Sequence, residues 1–227
     1  MDSVLTPYLS HPATAEEEAY RFLLQEIRLG RFKAGDRLVP EEIAGHLGIS
    51  RMPVRDAFRR LATQELLTIR PNRGAIVRGL NRDEAVEVFE MRAVLEGLAA
   101  RVAMERMGAS DIAALERRLD AMDRCGGNIS DWVTAHRDFH LVLCGFSGRP
   151  RLLAQIAALH VSIEPHMRLW LQAAETPQAG RDDHLLIIDA LRRGRGELVE
   201  AVVRDHICGT IPVLAKLMNV GREPAAA

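Results

Sequence analysis

The sequence changes character after Gly79, and this change most limits what the chain can fold into. From about Arg82 to Leu217 there is no convincing strand pattern, only amphipathic helical runs separated by glycine or proline. The connections between the runs are short, so neighbouring helices should pack antiparallel. Segment 80–219 is therefore predicted to be an all-α antiparallel bundle, with helices over 82–107, 110–124, 130–147, 150–174, 181–193 and 196–218.

The preceding segment, 15–79, has a mixed pattern that predicts a different domain. Helical spacing covers 15–29 and 41–47, and a third helix follows Ser50, a residue type that suits the N-cap. Two short β-rich runs, 66–70 and 75–78, flank Pro-Asn-Arg-Gly and predict a hairpin. Three helices followed by a hairpin are the element order of a winged helix-turn-helix. The chain is thus expected to be mainly α, with two domains.

The two ends and the cysteines limit the cellular setting. Residues 1–14 are expected to form a flexible arm and residues 220–227 a disordered tail. No run approaches the roughly 18 apolar residues that cross a bilayer, and the N-terminus lacks a signal-peptide pattern. Cys125, Cys144 and Cys208 lie far apart in the sequence and form no CxxC motif, which suits reduced thiols better than a disulfide framework. These features predict a cytoplasmic protein that has no membrane partner.

The net charge of −1 conceals a basic block within the first domain. Residues 50–80 contain seven arginines against Asp56 and Glu65, a net charge of +5 in 31 residues. A short basic segment inside a nearly neutral chain is typical of a nucleic-acid contact.

The third helix has the pattern of a DNA-recognition helix. Val54, Ala57, Phe58 and Leu61 form one apolar stripe, and basic side chains follow the neighbouring stripe. The start of such a helix reaches base edges in the major groove, and arginine can bind guanine with two hydrogen bonds. A solvated helix face would show the same arginines. The residues that predict DNA contact are Arg51, Arg55 and Arg59, the Ser50 hydroxyl, and Arg73 at the hairpin tip.

The segment Leu24–Arg78 resembles the DNA-binding domain of the GntR family of bacterial transcription regulators. Its most specific part is Ser-Arg-Met-Pro-Val-Arg-Asp-Ala, residues 50–57, which is similar to the family's S-R-T-P-V-R-E-A. The resemblance implies DNA contacts at Ser50, Arg51, Met52 and Arg55, and at the wing tip Arg73-Gly74. Met52 replaces the usual threonine, and Glu41 stands where several members have a DNA-contacting arginine.

Four histidines in the helical segment have metal-ligand spacing. His136 and His140 are four residues apart and project from one helix face. His184 and His206 fall on two consecutive helices that can bring them to one level of a bundle. Imidazole suits Zn, Ni, Cu and Fe. Ordinary partly buried histidines would also satisfy this spacing.

Residues 82–218 resemble the FCD-type ligand-binding domain of the FadR subfamily of GntR regulators. The matching segments include Phe89–Arg92, Leu95-Glu96 and Asp138–His140. The resemblance implies a divalent metal held by three histidines that align with His140, His184 and His206. His136 stands where the family usually has an Asp or Asn ligand. This change allows a four-histidine site, a softer metal preference, or a position that binds no metal. We therefore expect Zn or Ni rather than Mn, Fe or Mg.

The same resemblance predicts the effector and the assembly. Arg92 matches a family arginine that lines the effector cavity, where it can hold a carboxylate; an ion pair within the protein is the alternative. The expected function is a ligand-responsive regulator that binds palindromic operator DNA as a homodimer, with an organic or sugar acid as effector. The metal could instead be structural or absent.

An enzyme is the rival class, since three histidines around an open metal resemble a catalytic zinc site. A metal-dependent hydrolase needs a general base beside the metal-bound water. The sequence has no HExxH motif and no glutamate evidently placed beside the histidines. We therefore predict that the protein is not an enzyme.

Overall fold

A computed structural model describes residues 14–125, 127–174 and 179–212. The chain divides between Gly79 and Leu80 into two compact units. Apart from Thr14, the predicted arm 1–14 lies outside the described residues, as does the predicted tail 220–227.

The first unit has the predicted helix-helix-helix-hairpin order and one additional strand. The sheet is antiparallel with strand order β1-β3-β2; Leu38 of β1 pairs with Ala75 of β3, and Ile69 of β2 pairs with Ala75 on the other side. Strand β1 was not predicted, because a strand of two residues is too short to show alternation. The elements are α1 (Ala15–Arg28), β1 (Arg37–Leu38), α2 (Pro40–Leu47), α3 (Arg51–Thr63), β2 (Leu67–Arg70) and β3 (Gly74–Val77).

The turn between α2 and α3 is short because a glycine closes it. Gly48 ends α2 with a φ of 67°, a left-handed conformation that glycine adopts without steric cost. Ser50 occupies the predicted N-cap position of α3, but its side chain makes no capping hydrogen bond. The predicted stripe of Val54, Ala57, Phe58 and Leu61 is buried and packs α3 into the core of this unit.

The hairpin that forms the wing depends on Gly74 and on a neighbouring arginine. Gly74 has a φ of 85°, and a Cβ at this position would lie 2.1 Å from the carbonyl oxygen of Leu38. No other residue fits there without moving β1. Arg37 Nε donates a hydrogen bond to the carbonyl oxygen of Arg73 at 3.1 Å, so β1 also holds the tip of the wing.

The second unit is helical throughout its described part, which confirms the predicted fold class. The long helix α4 packs against α6, α7 and α9, while α5 packs against α6 and α8. The last predicted helix, 196–218, is observed over Gly196–Gly209, and its predicted stretch beyond 212 lies outside the described residues. The helices are α4 (Arg82–Met104), α5 (Ala109–Asp123), α6 (Ile129–Gly145), α7 (Pro150–Ala174), α8 (Ala179–Arg192) and α9 (Gly196–Gly209).

Helix α4 carries two charged side chains into the interior of this bundle. It begins with a capping box in which Asn81 and Glu84 satisfy each other's backbone N–H groups. Its buried face is rich in alanine, yet Arg92 and Glu96 are at most 1% exposed. Over the described ranges, no helix is both long and apolar enough to cross a membrane.

Candidate DNA-binding surface and metal centre

Helix α3 presents its predicted basic stripe to solvent. Arg51, Met52, Arg55 and Arg59 are all exposed, on the stripe beside the buried apolar one. Arg51 NH1 lies 3.0 Å from Glu41 Oε1 of α2. Arg59 pairs with Asp56 one turn earlier on the same helix. The helix therefore offers a row of guanidinium groups, two of which have a carboxylate partner at the surface.

Other arginines of the basic block serve the fold of the first unit. Arg60 binds Glu17 of α1 at 2.7 Å, and its guanidinium stacks over the Tyr20 ring at 3.6 Å. Arg78 lies 3.0 Å from Glu65. The charge of +5 counted along the sequence therefore overstates the charge that faces a partner.

A cleft between α3 and the wing collects five arginines. Arg55 and Arg59 line it from the helix, and the hairpin tip contributes Arg73 with Gly74. Arg37 and Arg70 line the same cleft. Neither was predicted as a DNA contact: Arg70 was counted only in the charge of the basic block, and the pairing of β1 with β3 that brings Arg37 to the wing leaves no periodic signal.

The four predicted histidines of the second unit meet inside the bundle. His136 and His140 come from α6, His184 from α8 and His206 from α9. One ring nitrogen from each lies within 4.8 Å of the other three. Ring centroids are 4.6 Å apart for His136 and His140, and 4.4 Å apart for His184 and His206.

The surroundings enclose these imidazoles and keep His136 and His206 uncharged. Three of the four are buried and His206 is half-buried. Burial lowers the pKa of His136 and of His206 well below the usual range, and the neighbouring histidines lower it further. Neutral imidazole is the form that binds a metal.

Several ring nitrogens of the cluster have no hydrogen-bond partner within the described residues. They are His136 Nδ1, His140 Nε2 and His206 Nδ1. A buried polar atom without a partner is costly, so such atoms mark places where a ligand belongs. A cluster of neutral nitrogen donors at these separations fits a divalent transition metal or zinc.

A buried ion pair on α4 adjoins the cluster. Arg92 Nε donates to Glu96 Oε1 at 2.8 Å, and Glu96 Oε2 lies 2.8 Å from His140 Nδ1. His160 of α7 joins them, with Nε2 3.0 Å from Glu96 Oε1 and 3.3 Å from Arg92 NH2. The expectation that no glutamate lies beside the histidines is therefore wrong. It failed because Glu96 comes from a helix 44 residues earlier in the chain than His140.

The charges of this network keep Glu96 ionised. Burial alone would raise the pKa of its carboxyl, but Arg92, His160 and His140 outweigh burial and hold that pKa well below its usual range. Burial also lowers the pKa of His160, to about 4, with Arg92 adding to the effect and Glu96 opposing it. The network thus pairs one guanidinium with one carboxylate and leaves His160 neutral at pH 7.

The structure also places residues that the sequence analysis set aside. Asp138 pairs with Arg137 at 3.0 Å and is largely exposed, so it does not replace a metal ligand. Trp132 stacks on His136 with ring centroids 4.9 Å apart, and Met167 is in the hydrophobic core. His160 and Glu96 are the residues that sequence reasoning missed. The one available signal was the pair of opposite charges at Arg92 and Glu96, four residues apart on an alanine-rich helix.

Comparison with protein families decides which class of protein has this arrangement. Residues 15–77 match the model of bacterial regulatory proteins of the gntR family, and residues 87–208 match the FCD domain. The chain belongs to the GntR family. It is a DNA-binding transcription regulator with an effector-binding FCD domain, as the resemblance predicted.

Curated relatives agree with this assignment. The chain is 31% identical over 205 residues to a probable D-xylose utilization operon transcriptional repressor of Paenarthrobacter nicotinovorans, covering 89% of each chain. It is 29% identical to the Nta operon transcriptional regulator of Aminobacter aminovorans, covering 78% of this chain and 83% of the relative. These proteins are regulators rather than enzymes, which confirms the non-enzyme prediction and excludes the hydrolase alternative.

Solved structures share the fold. The E. coli protein McbR/YncC matches with a TM-score of 0.80 and 24% identity, covering 91% of this chain and 99% of that one. A GntR regulator from Rhodococcus sp. RHA1 matches with a TM-score of 0.75 and 22% identity, covering 92% and 99%. The winged helix-turn-helix followed by a helical FCD domain is therefore the architecture of this chain.

Proposed function

We propose that the protein is a cytoplasmic, ligand-responsive regulator that binds palindromic operator DNA as a homodimer. One winged unit would bind each half-site, because the two-fold symmetry of a dimer matches that of a palindrome. Base contacts are assigned to Arg51, Met52 and Arg55 at the start of α3. The proposed backbone contacts are the Ser50 hydroxyl, Arg59, and the wing tip Arg73-Gly74.

We further propose that the FCD domain binds Zn or Ni through His136, His140, His184 and His206. The observation that carries this proposal is the convergence of four ring nitrogens within 4.8 Å. Neutral imidazoles favour Zn or Ni over Mn and Mg, which prefer oxygen ligands. Fe also accepts imidazole but stands below Ni in the usual order of affinity. A bound metal would supply a positive centre, and expansion beyond four-coordination would admit a ligand oxygen.

The proposed effector is an organic or sugar acid. A carboxylate suits both a metal centre and a guanidinium, and Arg92 is the arginine assigned to it. Arg92 Nε is already bound to Glu96, so the effector would use the terminal nitrogens of the guanidinium. The effector can regulate only if it binds one arrangement of the dimer more tightly than another.

A second candidate keeps the DNA-binding function but makes the metal structural. In favour of it, the cluster joins three helices, α6, α8 and α9, as a structural metal does. Removal of the metal separates the two. A structural metal predicts a lower melting temperature with no change in effector affinity, whereas a sensing metal predicts that effector binding is lost.

Two experiments test the proposal. For DNA binding, a duplex selected from a random pool is compared with its scrambled sequence; wild-type protein should prefer the selected duplex, and Arg51→Ala or Arg55→Ala should reduce that preference. Equal binding of both duplexes by the wild type would contradict it.

For the effector, carboxylates are screened by thermal shift on zinc-loaded protein and on chelator-treated protein. A stabilising carboxylate that acts only on the zinc-loaded form supports a sensing metal.

A further inference from the structure

Glu96 divides its two carboxylate oxygens between different partners. Oε1 receives the Nε–H of Arg92 at 2.8 Å and lies 3.0 Å from His160 Nε2. Oε2 lies 2.8 Å from Nδ1 of His140, a member of the histidine cluster. Arg92 therefore fixes one side of the carboxylate and leaves the other side to His140.

This contact selects which nitrogen of His140 can bind a metal. A neutral imidazole has one N–H and one lone pair, and a carboxylate only accepts hydrogen bonds. The favourable arrangement puts the proton on Nδ1, next to Glu96, and leaves the lone pair on Nε2. His140 Nε2 is buried and has no partner among the described residues, as expected for a ligand atom.

The contact is close, but its alignment is incomplete. The distance from His140 Nδ1 to Glu96 Oε2 is that of a hydrogen bond but the angle is not, so Oε2 lies off the direction of the Nδ1–H bond. A carboxylate that holds the far nitrogen of a metal-bound histidine is a recurrent device that orients the ring and raises its basicity.

We infer that Glu96 is the positioning residue of the histidine cluster, which orients His140 so that Nε2 is its metal-binding atom. The inference rests on the metal site proposed above. The inference also gives a reason for the buried ion pair of Arg92 and Glu96 on α4. Apolar side chains could replace this pair without loss of stability if stability were its only role. Because the four proposed ligands are neutral, Glu96 also brings a negative charge next to a divalent cation.

Zinc affinity of the full chain tests the inference. Chelator-stripped protein is titrated with Zn²⁺ against a chromophoric chelator, for the wild type, Glu96→Gln and the matched control Glu164→Gln. Glu164 is the suitable control because it is a buried carboxylate on α7 that binds Arg137 at 2.9 Å. We expect Glu96→Gln to weaken zinc binding by about 10–100-fold, and Glu164→Gln to change it by less than about three-fold.

The tautomer of His140 is a readout that a merely structural role would not change. In ¹⁵N-histidine spectra of zinc-loaded wild type, the His140 signals, assigned by their loss in His140→Gln, should show a protonated Nδ1 and a zinc-bound Nε2. In Glu96→Leu, which has no acceptor for the Nδ1–H, the signals should show exchange between tautomers, whereas the matched Glu164→Leu should retain the wild-type pattern. A wild-type pattern in Glu96→Leu would overturn the inference.

Two further variants distinguish a failure to fold from a failure of the metal site. If Glu96→Gln does not fold because Arg92 is left unpaired, the double variant Arg92→Gln/Glu96→Gln, which removes both charges, takes the place of Glu96→Gln in the zinc titration. If the folded variant binds zinc as tightly as the wild type while His206→Ala loses zinc affinity, only the role of Glu96 is overturned. If the wild type binds zinc no more tightly than His206→Ala, the metal site itself fails, and the inference with it.

Discussion

The arginines of α3 and the histidines of the FCD domain are both predicted functional side chains, but the protein presents them in opposite ways. Arg51, Arg55 and Arg59 are exposed on one helix, where water and nearby carboxylates already solvate them. The histidines of the cluster come from three helices and are buried or half-buried, and burial keeps His136 and His206 neutral. The arginine row on α3 is charged and in contact with water, whereas the histidine cluster is enclosed and its residues His136 and His206 are uncharged.

This difference determines what each region can recognise. Exposed guanidinium groups bind a polyanion largely through released counterions, so their affinity depends on salt. Buried neutral nitrogens bind a metal through short directed contacts that dissolved salt does not screen.

Salt should affect the two regions very differently. A dimer that makes 6–10 phosphate contacts loses about 10³–10⁵ in DNA affinity between 50 and 200 mM salt. Zinc affinity over the same range should change far less, since the ligands are neutral. Fluorescence anisotropy for DNA and chelator competition for zinc, both with a weakly coordinating anion, measure the two. Equal salt dependence would remove the contrast.

Metal should stabilise the folded protein strongly. Zinc at about 1,000 times its dissociation constant adds about 4 kcal/mol to the free energy of unfolding. For a chain of this length that raises the melting temperature by about 8–16 °C. His206→Ala should lose most of this gain, whereas His46→Gln, an exposed histidine of the first unit, should keep it. The same zinc-induced rise in His206→Ala would show that zinc binds elsewhere.

The first unit shows how far sequence patterns predict a fold. Val54, Ala57, Phe58 and Leu61 predicted the buried side of α3, and thereby the exposed side that carries the arginines. That inference is local, since it needs only the helical repeat. Arg37 was missed because it reaches the wing through the pairing of β1 with β3, which joins residues about 40 positions apart.

The histidine cluster shows the limit of the same approach. Helical spacing placed His136 and His140 together, and the order of the helices allowed His184 and His206 to join them. The family resemblance then singled out His140, His184 and His206 as metal ligands. Neither source identified Glu96 or His160, which come from α4 and α7 and meet the cluster only through tertiary packing. The burial of Arg92 was equally a matter of packing, since the four-residue spacing of Arg92 and Glu96 allowed an ion pair but nothing along the sequence showed that this pair is buried.

Acid should destabilise the FCD domain through a histidine outside the cluster. His166 Nε2 accepts the backbone N–H of Leu80 at 3.2 Å, and burial lowers its pKa from 6.5 to about 4, with Glu84 opposing the effect. The unfolded chain therefore binds the proton first, and stability falls as the pH decreases from about 6.5 towards about 4. A shift of this size corresponds to about 3 kcal/mol of unfolding free energy.

Urea unfolding of the metal-free protein at pH 7 and pH 4.5 measures this contribution. His166→Gln can still accept the Leu80 N–H but does not titrate, so its loss of stability between the two pH values should be smaller than that of the wild type. His46→Gln, with an exposed ring replaced, should behave like the wild type. An identical pH dependence in His166→Gln and wild type would contradict the assignment.

The smallest expected effect concerns Glu41, which pairs with Arg51 at the exposed surface. Exposed ion pairs contribute about 0.2–1 kcal/mol, so Glu41→Gln should raise affinity for non-specific DNA by about two- to five-fold. Glu42→Gln removes the same charge one residue along α2 and is the control. An equal gain in both variants would show that only net charge matters, and that the pair with Arg51 does not.

Anomalous diffraction at the zinc edge tests most directly the central claim that the buried histidines form a metal site. Crystals of the full chain grown with zinc should show one peak inside the FCD domain, about 2.0–2.1 Å from a ring nitrogen of each of the four histidines. A peak bound without His136 would reduce the site to three histidines. No peak among His136, His140, His184 and His206, with zinc supplied, would contradict the account.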